Sequence, residues 1–194
     1  MEQLSSTAEE ILACTRALII AGGYKSFSYA DVAEVVGIRK ASIHHHFPSK
    51  VDLVRVLLAR YREEAQTGVA ALERNVADPF DQLTNYVGYW EACIEEGTAS
   101  FCIGALLASE LPVLPEEVAV EVRAHFRFLA SWLQSVLERG KQQGRIHLMA
   151  APRAEAESFL ATVHGAMLSA RAYGDPKMFG VITKPLLDRL AVRH

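Results

Sequence analysis

With 194 residues, of which 51% are hydrophobic and 22% charged, the chain can bury a sizeable core and is not a disordered tail. Its net charge of −3 argues, taken whole, against a nucleic-acid binder, but Tyr24 to Arg62 holds seven Lys/Arg against three Asp/Glu while residues 63–194 hold twelve against seventeen. The cysteines Cys14, Cys93 and Cys102 form no CxxC pair and no metal-ligand spacing, which excludes a disulfide framework.

Residues 1–4 are expected to fray. From Ser6 or Thr7 to Ala21, Ile11, Leu12, Thr15, Leu18 and Ile19 recur at helical spacing and predict a support helix ended by Gly22-Gly23. The apolar stretch Ala17 to Ala21 follows Glu9 and Glu10 and is preceded by Arg16, so it does not read as a signal peptide. No run approaches the length of a membrane span. A cytoplasmic protein with no membrane partner is expected.

Ser28 followed by Asp31 has the spacing of a capping box, so a helix is predicted from there through Val36. Gly37 supplies the left-handed backbone of a sharp turn, and Ile38 can fill the space between two crossing helices. A short second helix runs from Arg39 or Lys40 to His46, with Ile43 and Phe47 inward. Its outward set is Arg39, Lys40, Ser42, His44 and His45, with Ala41 between them. Cations, a hydroxyl and imidazoles without an acid suit insertion into a DNA major groove. Ser49 and Asp52 make a second capping box that opens a long helix, and Lys50 in its first turn can clamp a phosphate together with the unpaired N–H groups and the helix dipole.

That helix is predicted to reach about Val76. Asp78-Pro79 then caps and begins the next, whose buried face is Phe80, Leu83, Val87, Trp90 and Ile94, with Tyr86 and Cys93 near its edge. Ser100 is expected to cap a short helix ending before Leu111 to Pro115. From Glu116, Val118, Val122, Phe126, Leu129, Leu133 and Val136 mark a long helix stopping near Gly144. Two final helices are predicted at about Arg153–Ala172 and Pro176–Val192. Ala161, Gly165, Ala166, Ser169 and Ala170 give the first of these a small-residue side that permits close helix approach.

Ser28, Val32-Ala33, Gly37-Ile38, Ala41-Ser42-Ile43 and His46-Phe47-Pro48-Ser49-Lys50, with Leu53 behind, resemble the DNA-binding signature of the tetracycline-repressor (TetR) family of bacterial regulators. Two positions depart from it: Arg39 stands where the family usually has a capping serine, and His44 where it has a phosphate-contacting tyrosine. The resemblance implies an all-α fold of about nine helices. It comprises a three-helix helix-turn-helix DNA-binding domain at residues 1–50 and a helical effector-binding and dimerisation domain at 51–194. It also implies a homodimer through the last two helices, a double-stranded DNA operator and a small-molecule effector, with no cofactor. The DNA-binding residues it implies are Ser28, Arg39, Lys40, Ala41, Ser42, His44, His45 and Lys50.

For the effector, Trp90, Phe126, Trp132, His164 and Met167 lie on the helices that enclose the family's ligand cavity, with Tyr86, Glu110, His125 and Arg171 as polar candidates and Cys93 at the edge. Each can equally be plain core. With Ser100 as N-cap, Cys102 would sit at the second helical position, where the dipole favours thiolate, and some branches of the family sense electrophiles or oxidants there; the alternative is an inert buried cysteine. His44-His45-His46 point about 100° apart, and no two histidines stand at i, i+4, so no metal site is expected. The chain has no GxSxG, P-loop, GxGxxG or HExxH pattern, so it is not read as an enzyme. A ligand-responsive repressor is the expected function. The alternatives are a helical small-molecule-binding protein or enzyme without operator binding, and a constitutive DNA-binding protein with a filled core.

Overall fold

Nine α-helices and two 3-10 turns follow one another among the described residues, 5–97 and 101–192, of this computed structural model. The only extended pairing among them is an isolated bridge between Ile146 and Ala191, so the all-α expectation stands. Helix α1 (Ser6–Gly22) starts where the Ser5 hydroxyl accepts the Ala8 N–H at 3.3 Å. It ends at Gly23, whose φ of 86° suits glycine, and a Cβ there would overlap the Glu110 carboxylate. The turn Tyr24–Ser26 leads into α2 (Tyr29–Val36), which opens with the predicted capping box. Gly37, at φ 74°, closes α2 while the N–H groups of Gly37 and Ile38 both reach the Ala33 carbonyl, at 3.0 and 3.1 Å.

Helix α3 (Lys40–His46) has no side-chain cap from Arg39, and the Phe47 N–H ends it on the Ile43 carbonyl at 2.7 Å. The Ser49 hydroxyl accepts the Asp52 N–H at the start of α4 (Lys50–Asn75). Asp78 accepts the N–H groups of Phe80 and Asp81 to open α5 (Pro79–Glu95). Then come α6 (Ile103–Ala108), the 3-10 turn Leu111–Val113, α7 (Glu116–Gln142), α8 (Pro152–Tyr173) and α9 (Lys177–Leu190). The proposed Ser100 cap lies outside the described residues, as do residues 1–4. Helix α6 begins later than the sequence reading placed it, so Cys102 precedes the helix instead of occupying its first turn.

Packing divides the chain into two units. The first comprises the chain up to Glu63 with Ile103–His125; the second comprises Glu64–Cys102 with the chain from Phe126 onward. The division therefore falls within α4 and within α7. Its cause in the first unit is tertiary: Tyr61 of α4 packs on His125 of α7 with ring centroids 5.0 Å apart, and Arg62 pairs with Glu121 at 2.6 Å. The core of this unit is built from Ile11, Ile19, Val32, Ile43, Leu53, Val54 and Leu58, all fully buried. In the second unit α8 and α9 pack along each other, and α5 packs on α9.

Candidate functional site

The recognition helix α3 is held from inside. Ile43 is fully buried and Phe47 nearly so, and the Tyr29 hydroxyl donates to the Phe47 carbonyl at 2.8 Å, bolting α2 to the end of α3. Burial, with Asp52 adding to it, pushes the Tyr29 phenol up to about 12, so it remains a donor at any physiological pH. Sequence reasoning passed over Tyr29; its place one residue after the cap was the available signal. On the outer face Arg39, Lys40, Ala41, His44 and His45 are exposed and Ser42 half-exposed, and the helix carries no acid. Pro48 O can only accept, so His44 donates from Nδ1 at 3.1 Å, which fixes its ring and leaves Nε2 as the second polar atom. Tyr29 supports that ring edge-on at 4.8 Å. His46 stacks towards Phe47 as expected. Among the described residues no group of three potential metal ligands comes together.

Two predicted DNA contacts are placed differently from the simple reading. The Ser28 hydroxyl accepts the Ala30 N–H and donates to Asp31 at 2.8 Å, so its hydrogen bonds close the cap. That hydroxyl, followed by the Ser28 N–H, holds the exposed Asp31 carboxyl below the usual carboxylate range. The Lys50 ammonium donates to the Phe27 carbonyl and lies 4.0 Å from the Phe27 ring centre and 4.7 Å from that of Tyr24. Burial pushes Lys50 down, against the opposing pull of Asp31 and Glu110. Lys50 is half-buried, and an ammonium carries three N–H donors, of which this berth uses one on the Phe27 carbonyl.

Glu110 and His125, expected at an effector cavity, belong to the first unit. Glu110 accepts the Tyr24 N–H at 3.1 Å, beside the glycine its carboxylate would otherwise clash with. His125 is buried against Tyr61, and a side chain at Gly104 would meet its Cδ2 at 2.7 Å. Both residues thus tie α6 and α7 to the elements that carry the recognition helix.

In the second unit the structure brings together Tyr86 and Trp90 of α5, Trp132 of α7 and Phe159 of α8. The Tyr86 ring centre lies 5.2 Å from Trp132 and 6.4 Å from Phe159. His164 and Phe126 form a further ring pair at 5.2 Å, and Met167 is fully buried on α8. Tyr86, Trp90 and Trp132 are 8%, 6% and 7% exposed, yet the Tyr86 hydroxyl, both indole nitrogens and His164 Nε2 lack a hydrogen-bond partner. A buried polar group left so costs about 1–3 kcal/mol, and four in one unit is a large expense for mere core. Burial raises the Tyr86 phenol, with Cys102 adding to it; the Trp90 indole is close enough to oppose that shift without forming a well-aligned bond. Burial alone drives His164 down to about 4, so it is neutral near pH 7. Cys93 is half-buried on α5, whereas Cys102 is fully buried and outside α6, which removes the dipole argument for a thiolate there. Arg171 is exposed, its guanidinium 5.8 Å from the Phe101 ring centre.

The small-residue side of α8 also needs correction. Ala166 and Ala170 are buried within the protomer, while Ala161, Gly165 and Leu168 are exposed at i, i+4 and i+7. Leu168 on α8 and Val181 on α9 are large apolar side chains left in solvent. The pair is locked by buried Glu155, which accepts the Met149 and Ala150 N–H groups and pairs with Arg189 at 2.9 Å, an arrangement the sequence reading did not find.

A basic, acid-free helix on a helix-turn-helix scaffold, joined in one chain to a helical unit with buried polar groups, defines the class as a DNA-binding transcription regulator. Comparison with known proteins agrees. The model for bacterial regulatory proteins of the tetR family matches residues 11–57, and that for the tetracyclin repressor-like C-terminal domain matches residues 79–184. The chain belongs to the TetR family. A TetR-family transcriptional regulator from Agrobacterium tumefaciens is 62% identical, with a TM-score of 0.94 over 96% of this chain and 98% of that one. The transcriptional repressor NemR of Escherichia coli K12 is 24% identical over 181 residues, 85% of this chain and 84% of its own. The repressor DhaR of Mycobacterium sp. strain GP1 is 26% identical over 147 residues, covering 75% and 73%. Among the described residues no helix is long and apolar enough to cross a membrane.

Proposed function

We propose that the protein is a cytoplasmic, homodimeric repressor that releases a palindromic operator when a small effector binds its second unit. The observation that carries the DNA half is the outward face of α3, where Arg39, Lys40, Ser42, His44 and His45 stand together without an acid on a helix anchored by Ile43 and Phe47. Lys40 and Arg39 position the head on phosphates, Ser42 and His45 face base edges, Ala41 allows close approach, and the fixed His44 ring offers Nε2. Ser28 acts by holding the head in shape, and Lys50 clamps a phosphate together with the N-terminal N–H groups of α4. Two such helices about 34–36 Å apart meet successive major-groove faces. The dimer forms across α8 and α9 through Ala161, Gly165, Leu168 and Val181, which are exposed on that pair. The DNA-reading function then belongs to residues 1–50, and effector binding and dimerisation to 51–194, a functional boundary inside the first packing unit.

An effector acts on this system only if it binds one head spacing better than the other. Purified protein incubated with sheared DNA of its own genome, followed by sequencing of the retained fragments, tests the reading. An inverted repeat with half-sites about one helical turn apart is expected. Fragments sharing no repeated sequence would contradict it.

A further inference from the structure

We infer that the effector is an uncharged molecule with an apolar or aromatic body and an exposed oxygen acceptor, held by the indole N–H groups of Trp90 and Trp132. This inference rests on the reading of the second unit as the effector-binding part. An indole nitrogen can only donate, so the two nitrogens define what must face them: a lone pair, not another donor. The Tyr86 hydroxyl, which the Trp90 indole approaches and whose ring lies 5.2 Å from that of Trp132, can donate or accept and adds a third polar point. All three side chains are more than nine-tenths buried, and none of these polar atoms has a hydrogen-bond partner.

Charge is excluded by the same surroundings. An anion needs a cation beside it, and His164, paired with Phe126, is kept neutral by burial. Of the unit's described cations, Arg139 is bound to Glu73 and Gln82, Arg145 to Asp78 and Arg189 to Glu155, while Arg74, Arg127, Arg153, Lys141, Lys177 and Lys184 are exposed. Arg171 is on the exposed side of α8, over Phe101. A cation would find ring faces, but a cation seated on those faces would leave both N–H groups still unsatisfied. A carbonyl or ether oxygen satisfies them directly, while Phe126, Phe159 and Met167 supply apolar contact for the rest of the molecule.

Trp90 and Trp132 are the chain's two tryptophans, so the indole region of a proton–nitrogen correlation spectrum of the intact dimer contains two peaks, both reporting this cluster. Four probes of one shape separate the possibilities: 2-acetylnaphthalene, 2-ethylnaphthalene, 2-naphthoate and (2-naphthylmethyl)trimethylammonium. The ketone is expected to bind about tenfold tighter than the hydrocarbon, the effect of a buried hydrogen bond, and to move both indole protons downfield. In Trp90→Phe and Trp132→Phe the ketone's advantage should fall towards unity, while the wild-type peak shifts stand even if a variant folds poorly. Equal binding of ketone and hydrocarbon, preference for either ion, or no binding by any probe would overturn the inference. The regulatory reading is judged separately on operator release. A ketone that shifts both indoles but leaves the operator bound keeps this chemistry and sinks the switch, and an operator released only by naphthoate does the reverse.

Discussion

The two units carry the same kind of group, a buried tyrosine hydroxyl, in opposite states. In the head, the Tyr29 hydroxyl meets the Phe47 carbonyl at 2.8 Å; in the second unit the Tyr86 hydroxyl and the indoles beside it have no hydrogen-bond partner. A DNA reader gains from a fixed shape, since a rigid recognition helix loses little entropy on docking. An effector pocket gains from polar groups whose partners arrive with the ligand. The head is therefore the part whose stability comes from its own bonds, and on the proposed function the body is the part whose stability a ligand would raise.

The largest test of that contrast is glycine to alanine. Gly23→Ala forces a side chain into left-handed backbone and into Glu110, and should cost about 3 kcal/mol or more in denaturant melts. Gly165→Ala, where a Cβ meets nothing within 4 Å, should change protomer stability by no more than about 1 kcal/mol, in the stabilising direction. Equal losses would mean the head is no more tightly determined than α8.

Acid should then unsettle the body. His164 is lowered to about 4 from an ordinary value of 6.5, so between these values the unfolded chain binds the proton that the folded one refuses. Its contribution is fully present above pH 6.5 and is lost as pH falls towards 4, on the order of 2–3 kcal/mol. Urea melts at pH 7.5, 5.5 and 4.5 should show that loss in the parent and a smaller one in His164→Gln. Parallel curves would remove His164 from the account.

Smaller, and closest to the contrast itself, is the removal of one oxygen from each tyrosine. Tyr29→Phe strands a buried carbonyl and should cost about 1–2 kcal/mol. Tyr86→Phe removes an unsatisfied hydroxyl and should be neutral or stabilising by up to about 1 kcal/mol. Reversed signs would break the comparison. Smallest for the protomer is Leu168→Glu on the exposed face of α8, expected to alter its folding stability by about 0.5 kcal/mol or less. It should nevertheless leave monomers in sedimentation; a dimer that persists would place the interface elsewhere.

Legibility followed the range of the interactions. The Ser28–Asp31 box, the turn at Gly37 and the Asp78-Pro79 start are decided within four residues, and each lies where its spacing put it. The berth of Lys50 depends on Tyr24 and Phe27, which only the folded loop brings to it, and the role of Glu110 on a contact 86 residues away. Composition gave α8 one small-residue side, but the fold divides it, with Ala166 and Ala170 buried and Gly165 exposed. The aromatic cluster could be anticipated as a set of side chains on buried faces. That its polar atoms would go unpaired could not, because hydrogen bonding across three helices has no sequence period.

The claim that α3 reads DNA is tested most directly by the salt dependence of binding to the selected operator, measured for the parent, Lys40→Ala, Arg39→Ala and Tyr86→Phe. Loss of one phosphate contact per protomer, two in the operator-bound dimer, should reduce the slope of log K against log salt by about 1.8 in each of the two head variants. Tyr86→Phe should leave the parent slope unchanged. Parent-like slopes in both head variants, with folding intact, would show that the acid-free face of α3 is not where this protein meets DNA.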